Sequence, residues 1–228
     1  WLALDRERGE EVAYKRFVAA GSAAAAAEGR YLFKQEFWTA RSLAHPHLVG
    51  AFDYGEQADG TPYFTMPYVP GQDLVPGDRT TEAAIRAWLP GLAAALAFLH
   101  ARGYVHGDLK PANVRLGEQD GLPHATLMDY GLLAPSGRAG SPIRGTLAYV
   151  APEIVRGGAI DARTDLYALG AMLYELLSGA PPFAADDPVG LLRAHLDRAP
   201  VPLEQRAPAT SAPMARLVAR LLAKAPAD

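Results

Sequence analysis

An eight-residue segment, His106-Gly-Asp-Leu-Lys-Pro-Ala-Asn113, constrains this chain more than any other feature. It places a carboxylate, an ammonium group and an amide between an apolar helical pattern and a short strand. Phosphoryl transfer needs this combination: a carboxylate orients the attacking hydroxyl, a cation neutralises charge on the moving group, and an amide oxygen helps to hold magnesium. Asp108, Lys110 and Asn113 are therefore candidate catalytic residues. Taken alone, the segment could also be a turn with a capped helix end.

A second acidic segment, Leu127-Met-Asp-Tyr-Gly131, places Asp129 sixteen positions after Asn113. Asp129 lies at the predicted end of a strand and precedes a glycine, so it is the second candidate magnesium ligand, with Asn113. A type I turn beginning with aspartate is the alternative interpretation. Two further blocks lie downstream, at residues 145–153 and 165–170.

Composition excludes several classes of protein. With 228 residues, half of them hydrophobic, the chain can bury a substantial core. A net charge of -3 argues against a nucleic-acid partner. The absence of cysteine excludes a disulfide framework and agrees with a reducing, cytoplasmic compartment. No apolar run reaches the roughly 18 residues of a membrane span, and the histidines lack metal-ligand spacing, so we expect neither a membrane segment nor a zinc site.

The pattern of the first 69 residues predicts mainly short strands. We predict a hairpin over 1–18, a linker over 19–28 with its five alanines, and a helix over 30–43 that is ended by Pro46. Two more strands are predicted over 48–54 and 62–68.

After Pro70-Gly71 the pattern changes to long helices. An apolar face over 85–99 predicts the first, and Pro90 within it predicts a kink or a late helix start. The stretch 166–177 is apolar on nearly all sides, which is typical of a buried central helix ending at Gly179. Further helices are predicted over 188–196 and 212–224.

In order and spacing, these blocks resemble the bacterial eukaryotic-like (Hanks-type) serine/threonine protein kinases over essentially the whole chain. Gly145-Thr-Leu-Ala-Tyr-Val-Ala-Pro-Glu153 is similar to the end of that family's activation segment. The resemblance implies an α+β, bilobal fold. Residues 1–69 would form an N-lobe of a small antiparallel sheet and one helix, with a hinge at 67–69. Residues 70–228 would form a mainly helical C-lobe with a catalytic loop at 106–113 and an activation segment at 129–153.

The same resemblance implies transfer of the ATP γ-phosphoryl group to Ser or Thr hydroxyls of protein substrates, with Mg²⁺, or else Mn²⁺, as the metal. Val12-Ala-Tyr-Lys15 is similar to the strand whose lysine grips the α and β phosphates, and Glu36 to the helix glutamate that pairs with it. Lys110 together with Thr146 implies Ser/Thr rather than Tyr substrates, because in this family that threonine bonds the catalytic aspartate and lysine.

The resemblance also assigns the ATP-binding residues. Met66 falls at the gatekeeper position, and the hinge backbone reads adenine through the carbonyl of Pro67 and the amide and carbonyl of Val69. The ATP-binding residues implied are Ala13, Lys15, Glu36, Met66, Pro67, Val69, Arg115 and Asp129. His106 and Tyr130 are expected to pack in the column of side chains that couples the lobes.

Two positions depart from the family pattern. Gly107 stands where many relatives carry an arginine that binds a phosphorylated activation loop, so we expect activity that does not depend on phosphorylation of Ser136 or Ser141. Arg115 stands where an aliphatic side chain usually lies under adenine. Its stem can still cover the base, and we expect its charge to turn toward water or phosphate.

The ends also depart from the pattern. Trp1 falls one residue beyond the family's glycine-rich loop, and Asp228 stops one residue short of the arginine expected to pair with Glu153. We therefore expect a piece cut at both edges and poorly active by itself, from a parent that has further domains and has room for a membrane anchor outside this segment. Without a partner, a buried Glu153 would be protonated or costly.

Two other functions compete. A small-molecule kinase of the aminoglycoside or choline type shares the His-Gly-Asp-Leu opening, but Lys110 and the two downstream blocks argue against it. A pseudokinase or scaffold would bind partners without chemistry. Retention of the acidic, lysine and asparagine residues named above argues against this alternative.

Overall fold

The computed structural model describes residues 1–19, 21–76, 80–140 and 143–225. Helices and strands alternate along these residues in a mixed α+β order. The strands are β1 Leu2–Asp5, β2 Glu10–Arg16, β3 Tyr54–Glu56, β4 Pro62–Pro67, β5 Gln72–Asp73, β6 Tyr104–Val105, β7 Val114–Gln119, β8 Leu122–Leu127 and β9 Ala134–Pro135. The helices are α1 Ala23–Ser42, α2 Glu82–Ala101, α3 Pro152–Val155, α4 Ala162–Ser178, α5 Pro188–Asp197, α6 Leu203–Arg206 and α7 Ala212–Leu221.

An antiparallel sheet with the order β1-β2-β4-β3 forms the first part of the molecule. The predicted hairpin is confirmed: β1 and β2 pair from Leu2 opposite Ala13 to Asp5 opposite Glu10. Gly9 closes the turn with a φ of 72°, a conformation that glycine adopts at no steric cost. On β2 and β4, Lys15 lies opposite Phe64.

Helix α1 starts earlier than the sequence pattern predicts. The alanine run forms its first turns, so the predicted linker over 19–28 is wrong from residue 23 onward. Ser22 caps the helix, since its hydroxyl accepts a hydrogen bond from the Ala25 amide at 3.3 Å. Alanine has the highest helix propensity, and this cap supplies the start signal that an apolar-face analysis does not detect. Phe33 and Phe37 then pack against Phe64 of the sheet.

The predicted strand over 48–54 is wrong for most of its length, because β3 begins only at Tyr54. Residues 47–49 instead bond to β8, with the Leu127 amide donating to the His47 carbonyl at 2.9 Å and the Val49 amide donating to the Leu127 carbonyl at 3.0 Å. The apolar side chains that resemble a strand are buried against the helical half.

Helix α2 runs through Pro90 without a late start, so that alternative is wrong. Its length of 20 residues and mean hydropathy of 1.4 fit a membrane span on length and composition alone. One face nevertheless lies in the core and carries the buried residues Ile85, Trp88, Leu92, Ala95, Leu96 and Leu99.

Helix α4 is the centre of the helical half, as predicted. Met172, Leu173 and Leu176 have no exposed surface, and Gly179 ends the helix in the left-handed conformation at φ 79°. Two smaller sheets, β5-β7-β8 and β6-β9, are formed by strands between residues 72 and 135, which flank helix α2 in the chain. The predicted bilobal α+β fold is confirmed.

Candidate active site

The loop between β6 and β7 brings together the side chains predicted to carry the chemistry. Lys110 Nζ donates to Asp108 Oδ2 at 2.6 Å and to Thr146 Oγ1 at 2.9 Å. Asn113 Nδ2 donates to the Asp108 carbonyl at 2.8 Å, and the Thr146 amide donates to Asp108 Oδ1 at 3.0 Å. We call Asp108, Lys110, Asn113 and Thr146 the loop cluster.

The buried side chain of Asp165 bonds to the backbone of this loop. Its carboxylate has no exposed surface and accepts the His106 amide at 2.8 Å and the Gly107 amide at 2.9 Å. His100 Nε2 donates to the same carboxylate at 2.7 Å. The sequence places Asp165 in a recognisable block but does not indicate this contact, because its partners lie 58 or more positions away.

Two glycines let the backbone pass close to the loop cluster. At Gly145, which has a φ of 88°, a Cβ would lie 2.8 Å from Asp108 Oδ1. At Gly107, which has a φ of 79°, a Cβ would lie 3.1 Å from the Leu132 carbonyl oxygen. Any other residue at 145 would therefore displace either the Asp108 carboxylate or the segment that carries Thr146.

A second group of charges spans both halves of the molecule. Lys15 on β2 forms an ion pair with Glu36 of α1, and its Nζ lies 3.3 Å from Asp129 Oδ1. The side chain of Glu36 is 8% exposed, whereas that of Asp129 is 47% exposed. We call Lys15, Glu36 and Asp129 the cross-lobe cluster.

Burial and charge shift the pKa of each member of the cross-lobe cluster. Burial lowers the pKa of Lys15, but the Glu36 and Asp129 carboxylates outweigh it, and the net shift is upward. Burial raises the pKa of Asp129, but the Lys15 ammonium and the Gly131 amide outweigh it, and the net shift is downward. Burial also raises the pKa of Glu36, where the Lys15 charge offsets it only in part.

Asp129 adopts a left-handed backbone conformation with a φ of 63°. Aspartate tolerates this region better than most residues because its short carboxylate can bond locally. Here Oδ1 accepts the Gly131 amide at 3.1 Å. The following residue, Tyr130, is buried against His106 with 6.3 Å between ring centroids, and its hydroxyl donates to the Val49 carbonyl at 2.7 Å. This matches the packing predicted for His106 and Tyr130.

A cleft of about 400 Å³ opens beside the cross-lobe cluster. Of the residues predicted to bind ATP, it is lined by Ala13, Lys15, Glu36, Met66, Val69, Arg115 and Asp129, and Asn113 also lines it. Pro67 does not line it and pairs with Val12 in the sheet. Asp108 and Thr146 lie instead at an adjacent hollow of about 10 Å³.

Asn113 and Asp129 are the residues that fit a divalent metal. Magnesium is usually held by one or two protein oxygen donors together with substrate phosphates, rather than by a full protein cage. An amide oxygen and a partly exposed carboxylate at the edge of an open cleft match that donor set. Among the residues described, the structure holds no group of three or more His, Cys, Asp or Glu side chains able to bind a metal without such phosphates.

The Arg115 guanidinium differs from expectation. It does not turn toward the cross-lobe cluster: Nε donates to the Val69 carbonyl at 3.2 Å, and Nη1 donates to Asp73 Oδ1 at 2.8 Å in a solvent-exposed contact. Asp73 also lines the cleft and was not identified from the sequence. Asp73 could have been found only from the pairing of β5 with β7, which sets it opposite Arg115.

Glu153 is half-buried and has a partner, contrary to expectation. The Thr164 hydroxyl donates to its Oε1 at 2.7 Å. Thr164 precedes Asp165 in the same block, so one turn of α4 supports both Glu153 and the loop cluster. Ser136 is exposed just after β9, and Ser141 lies outside the described residues.

Comparison with known proteins gives one family and several relatives. The family model described as the protein kinase domain matches residues 1–228. The chain is 36% identical over 208 residues to the serine/threonine-protein kinase PknB of Mycobacterium tuberculosis, covering 85% of this chain and 33% of that protein.

Two relatives from other bacteria are similarly close. The serine/threonine-protein kinase pkn3 of Myxococcus xanthus is 33% identical over 217 residues, which is 86% of this chain and 39% of the relative. The DNA damage-responsive serine/threonine-protein kinase RqkA of Deinococcus radiodurans is 38% identical over 210 residues, which is 86% of this chain and 30% of the relative. The chain thus spans about a third of the length of these relatives.

Proposed function

This chain belongs to the protein kinase domain family, whose members use ATP and a divalent metal, and on that premise we propose that it transfers the γ-phosphoryl group of ATP to Ser or Thr hydroxyls of proteins. The observation that carries the proposal is the contact of Lys110 Nζ with both Asp108 and Thr146 at 2.6 and 2.9 Å. The relatives' names, all serine/threonine-protein kinases, support it.

In the proposed reaction, Asp108 orients the substrate hydroxyl and accepts its proton, while Lys110 neutralises charge on the transferred group. Thr146 fixes both side chains through its amide and its hydroxyl. Asn113 and Asp129 would hold Mg²⁺, or Mn²⁺ with the same oxygen donors, which supplies charge neutralisation for the phosphates. Lys15, oriented by Glu36, would bind the α and β phosphates.

The base would occupy the cleft between β2 and β7. Ala13, Met66, Val69 and Arg115 line the space for it, and Pro67 would contribute its carbonyl. We propose residues 1–69 as the N-lobe with its hinge at 67–69, and residues 70–228 as the C-lobe. Within the C-lobe, 106–113 would be the catalytic loop and 129–153 the activation segment.

We propose that the activation segment needs no phosphate to hold it in place. Backbone contacts support this: the Ser136 amide donates to the Gly103 carbonyl at 2.7 Å and the Gly137 amide donates to the Ile160 carbonyl at 2.8 Å. A protein carrying both Ser136→Ala and Ser141→Ala should keep its rate of phosphoryl transfer. Loss of most of that rate would contradict this regulation.

Neither competing function is favoured. A small-molecule kinase does not need the Lys110–Thr146 contact, which lies on the segment proposed to receive protein substrates. A pseudokinase does not need the cross-lobe cluster. We also propose protein substrates, a cytoplasmic location for this segment, and further domains in the whole protein, as the larger size of the relatives supports.

Because the piece by itself is expected to be poorly active, the experiment uses the full-length protein and compares phosphorylation of casein and myelin basic protein by its wild type, Asp108→Asn and Asp129→Asn forms. Each variant should abolish labelling, because one lacks the base and the other a metal ligand. Asp186→Asn, at an exposed position outside the cleft, is the matched control and should keep full activity. Full residual activity in either variant, or labelling of aminoglycosides in preference to protein, would refute the proposal.

A further inference from the structure

Arg115 is held rigidly along the hinge side of the cleft. Its Nε donates to the Val69 carbonyl and its Nη1 to the Asp73 carboxylate, two contacts from one planar group. The strand pairing of β5 with β7 sets Asp73 directly opposite Arg115. With 27% of its side chain exposed, Arg115 presents a fixed, partly desolvated cation to whatever binds beside Met66 and Val69.

The contact changes what the Val69 carbonyl can do. A carbonyl oxygen has two lone pairs, but a second donor to the Val69 carbonyl would approach the positive charge of Arg115, which weakens the hydrogen bond that it can form. A ligand that places an amino group there therefore meets repulsion, whereas a ligand with a C–H or an acceptor at the same point does not.

The ring position concerned follows from the backbone. The proposed function already assigns both the amide and the carbonyl of Val69 to the base. If a purine ring nitrogen accepts the Val69 amide, the neighbouring ring carbon faces the Val69 carbonyl. For adenine bound through N1, with its 6-amino group toward Pro67, that carbon is C2.

We propose that Arg115 is a base-selecting residue that excludes purine nucleotides carrying a 2-amino group. The inference rests on the proposed function, which places ATP in this cleft. Adenine carries only hydrogen at C2 and is accepted, while 2-aminopurine rings present an N–H donor to a carbonyl that Arg115 already occupies.

The test is a titration of the purified protein with ATP and with 2-aminoadenosine 5′-triphosphate, each measured by calorimetry. The wild type should bind ATP at least tenfold more tightly than the 2-amino nucleotide. Arg115→Leu frees the Val69 carbonyl, so the ratio should fall to about one or reverse. Arg216→Leu removes the same charge from an exposed site on α7, and its ratio should equal that of the wild type.

A second variant keeps the inference testable if Arg115→Leu fails to fold. Asp73 is 64% exposed, so Asp73→Asn should leave the fold intact while weakening the hold on Nη1, and its ratio should lie between the other two. Equal ratios in wild type, Arg115→Leu and Asp73→Asn would overturn the inference. A wild type that binds ATP with the expected ratio but labels no protein would contradict the proposed function alone.

Discussion

The loop cluster and the cross-lobe cluster each pair a lysine with a carboxylate, but they differ in how far apart their residues lie along the chain. Three members of the loop cluster lie within six positions of one another, from Asp108 to Asn113, and a buried carboxylate fixes their backbone. In the cross-lobe cluster, Lys15 contacts residues 21 and 114 positions away. It therefore exists only while α1, β2 and the strand end before Asp129 are packed together.

The two clusters therefore differ in what holds them in place. The loop cluster is anchored in the helical core by a side chain with no exposed surface. The cross-lobe cluster depends on α1, whose first turns are alanines with no acidic residue to favour them. Substitutions in the two clusters should thus affect stability and activity in different proportions.

The largest effect is expected from Asp165→Ala, which removes the anchor of the loop cluster. Two buried backbone amides and His100 lose their acceptor, so the free energy of unfolding should fall by about 3–5 kcal/mol. Phosphoryl transfer should fall with it, because the loop that carries Asp108 is no longer held. Urea unfolding followed by circular dichroism measures the first quantity, and casein labelling measures the second.

Asp161→Ala is the matched control on the same helix. Asp161 caps α4 from an exposed position, accepting the Arg163 amide at 2.7 Å, and its loss should cost only about 1 kcal/mol. If both aspartate variants lost the same stability, the loop cluster would not depend on a buried anchor, and the contrast between the two clusters would fail.

Glu36→Gln, in the cross-lobe cluster, should lower activity with little loss of stability. The neutral amide can still bond to Lys15, so the fold should survive, but Lys15 would be drawn toward Asp129 and away from its place in the cleft. Activity should fall about 100-fold, in the range for loss of one aligned charge interaction. Steady-state kinetics should show the loss with little change in the urea midpoint.

Glu28→Gln provides the comparison on α1. Glu28 is 65% exposed and lies 3.5 Å from Arg144, so its activity should remain within about twofold of the wild type, as for most exposed ion pairs. A Glu36→Gln protein that lost stability as Asp165→Ala does would show that the cross-lobe cluster is a structural anchor too.

The two clusters also differ in what the sequence could reveal. Asp108, Lys110 and Asn113 were predicted together because one short segment contains the carboxylate, ammonium and amide that phosphoryl transfer uses. Asp165 was not assigned its role, since nothing local indicates that a buried carboxylate will accept amides 58 positions away. The contacts of the Arg115 guanidinium were not predicted for a similar reason: its acceptors, Val69 and Asp73, lie 46 and 42 positions away along the chain.

Two errors in the fold have different causes, one local and one tertiary. The alanines of α1 carry no apolar periodicity, so their helix follows from the Ser22 cap and from propensity. The apolar run before Tyr54 looks like a strand, but burial against β8 and the helical half explains it equally well. The hairpin, α4 and Gly179 were predictable because periodicity, glycine and the expected packing all agreed.

A smaller effect is expected from Thr146→Val, which touches one contact of the loop cluster. Valine keeps the shape and the backbone amide that bonds Asp108 but removes the acceptor for Lys110. The rate should fall about tenfold, the size of one hydrogen bond to a charged group. Thr146→Ser keeps the hydroxyl and should recover most of the rate. Equal losses in the two variants would indicate that the methyl group, rather than the hydroxyl, positions Lys110.

The smallest effect is expected in how the free energy of unfolding depends on pH, through Lys15 and Asp129 of the cross-lobe cluster. The pKa of Lys15 is raised above its ordinary value of 10.5, so its contribution is complete below that pH and is lost as the pH rises through the folded value. The pKa of Asp129 is lowered below 3.8, so its contribution is complete above that pH and is lost on acidification.

The stability difference between wild type and Lys15→Met should therefore be flat from about pH 6 to pH 10 and shrink only above pH 10.5. Its size should be about 1 kcal/mol or less, because the pair is partly exposed. Lys34→Met, at an exposed position on α1, should show no such change. A difference that already shrinks between about pH 7 and pH 9 would mean that burial, rather than the two carboxylates, controls Lys15.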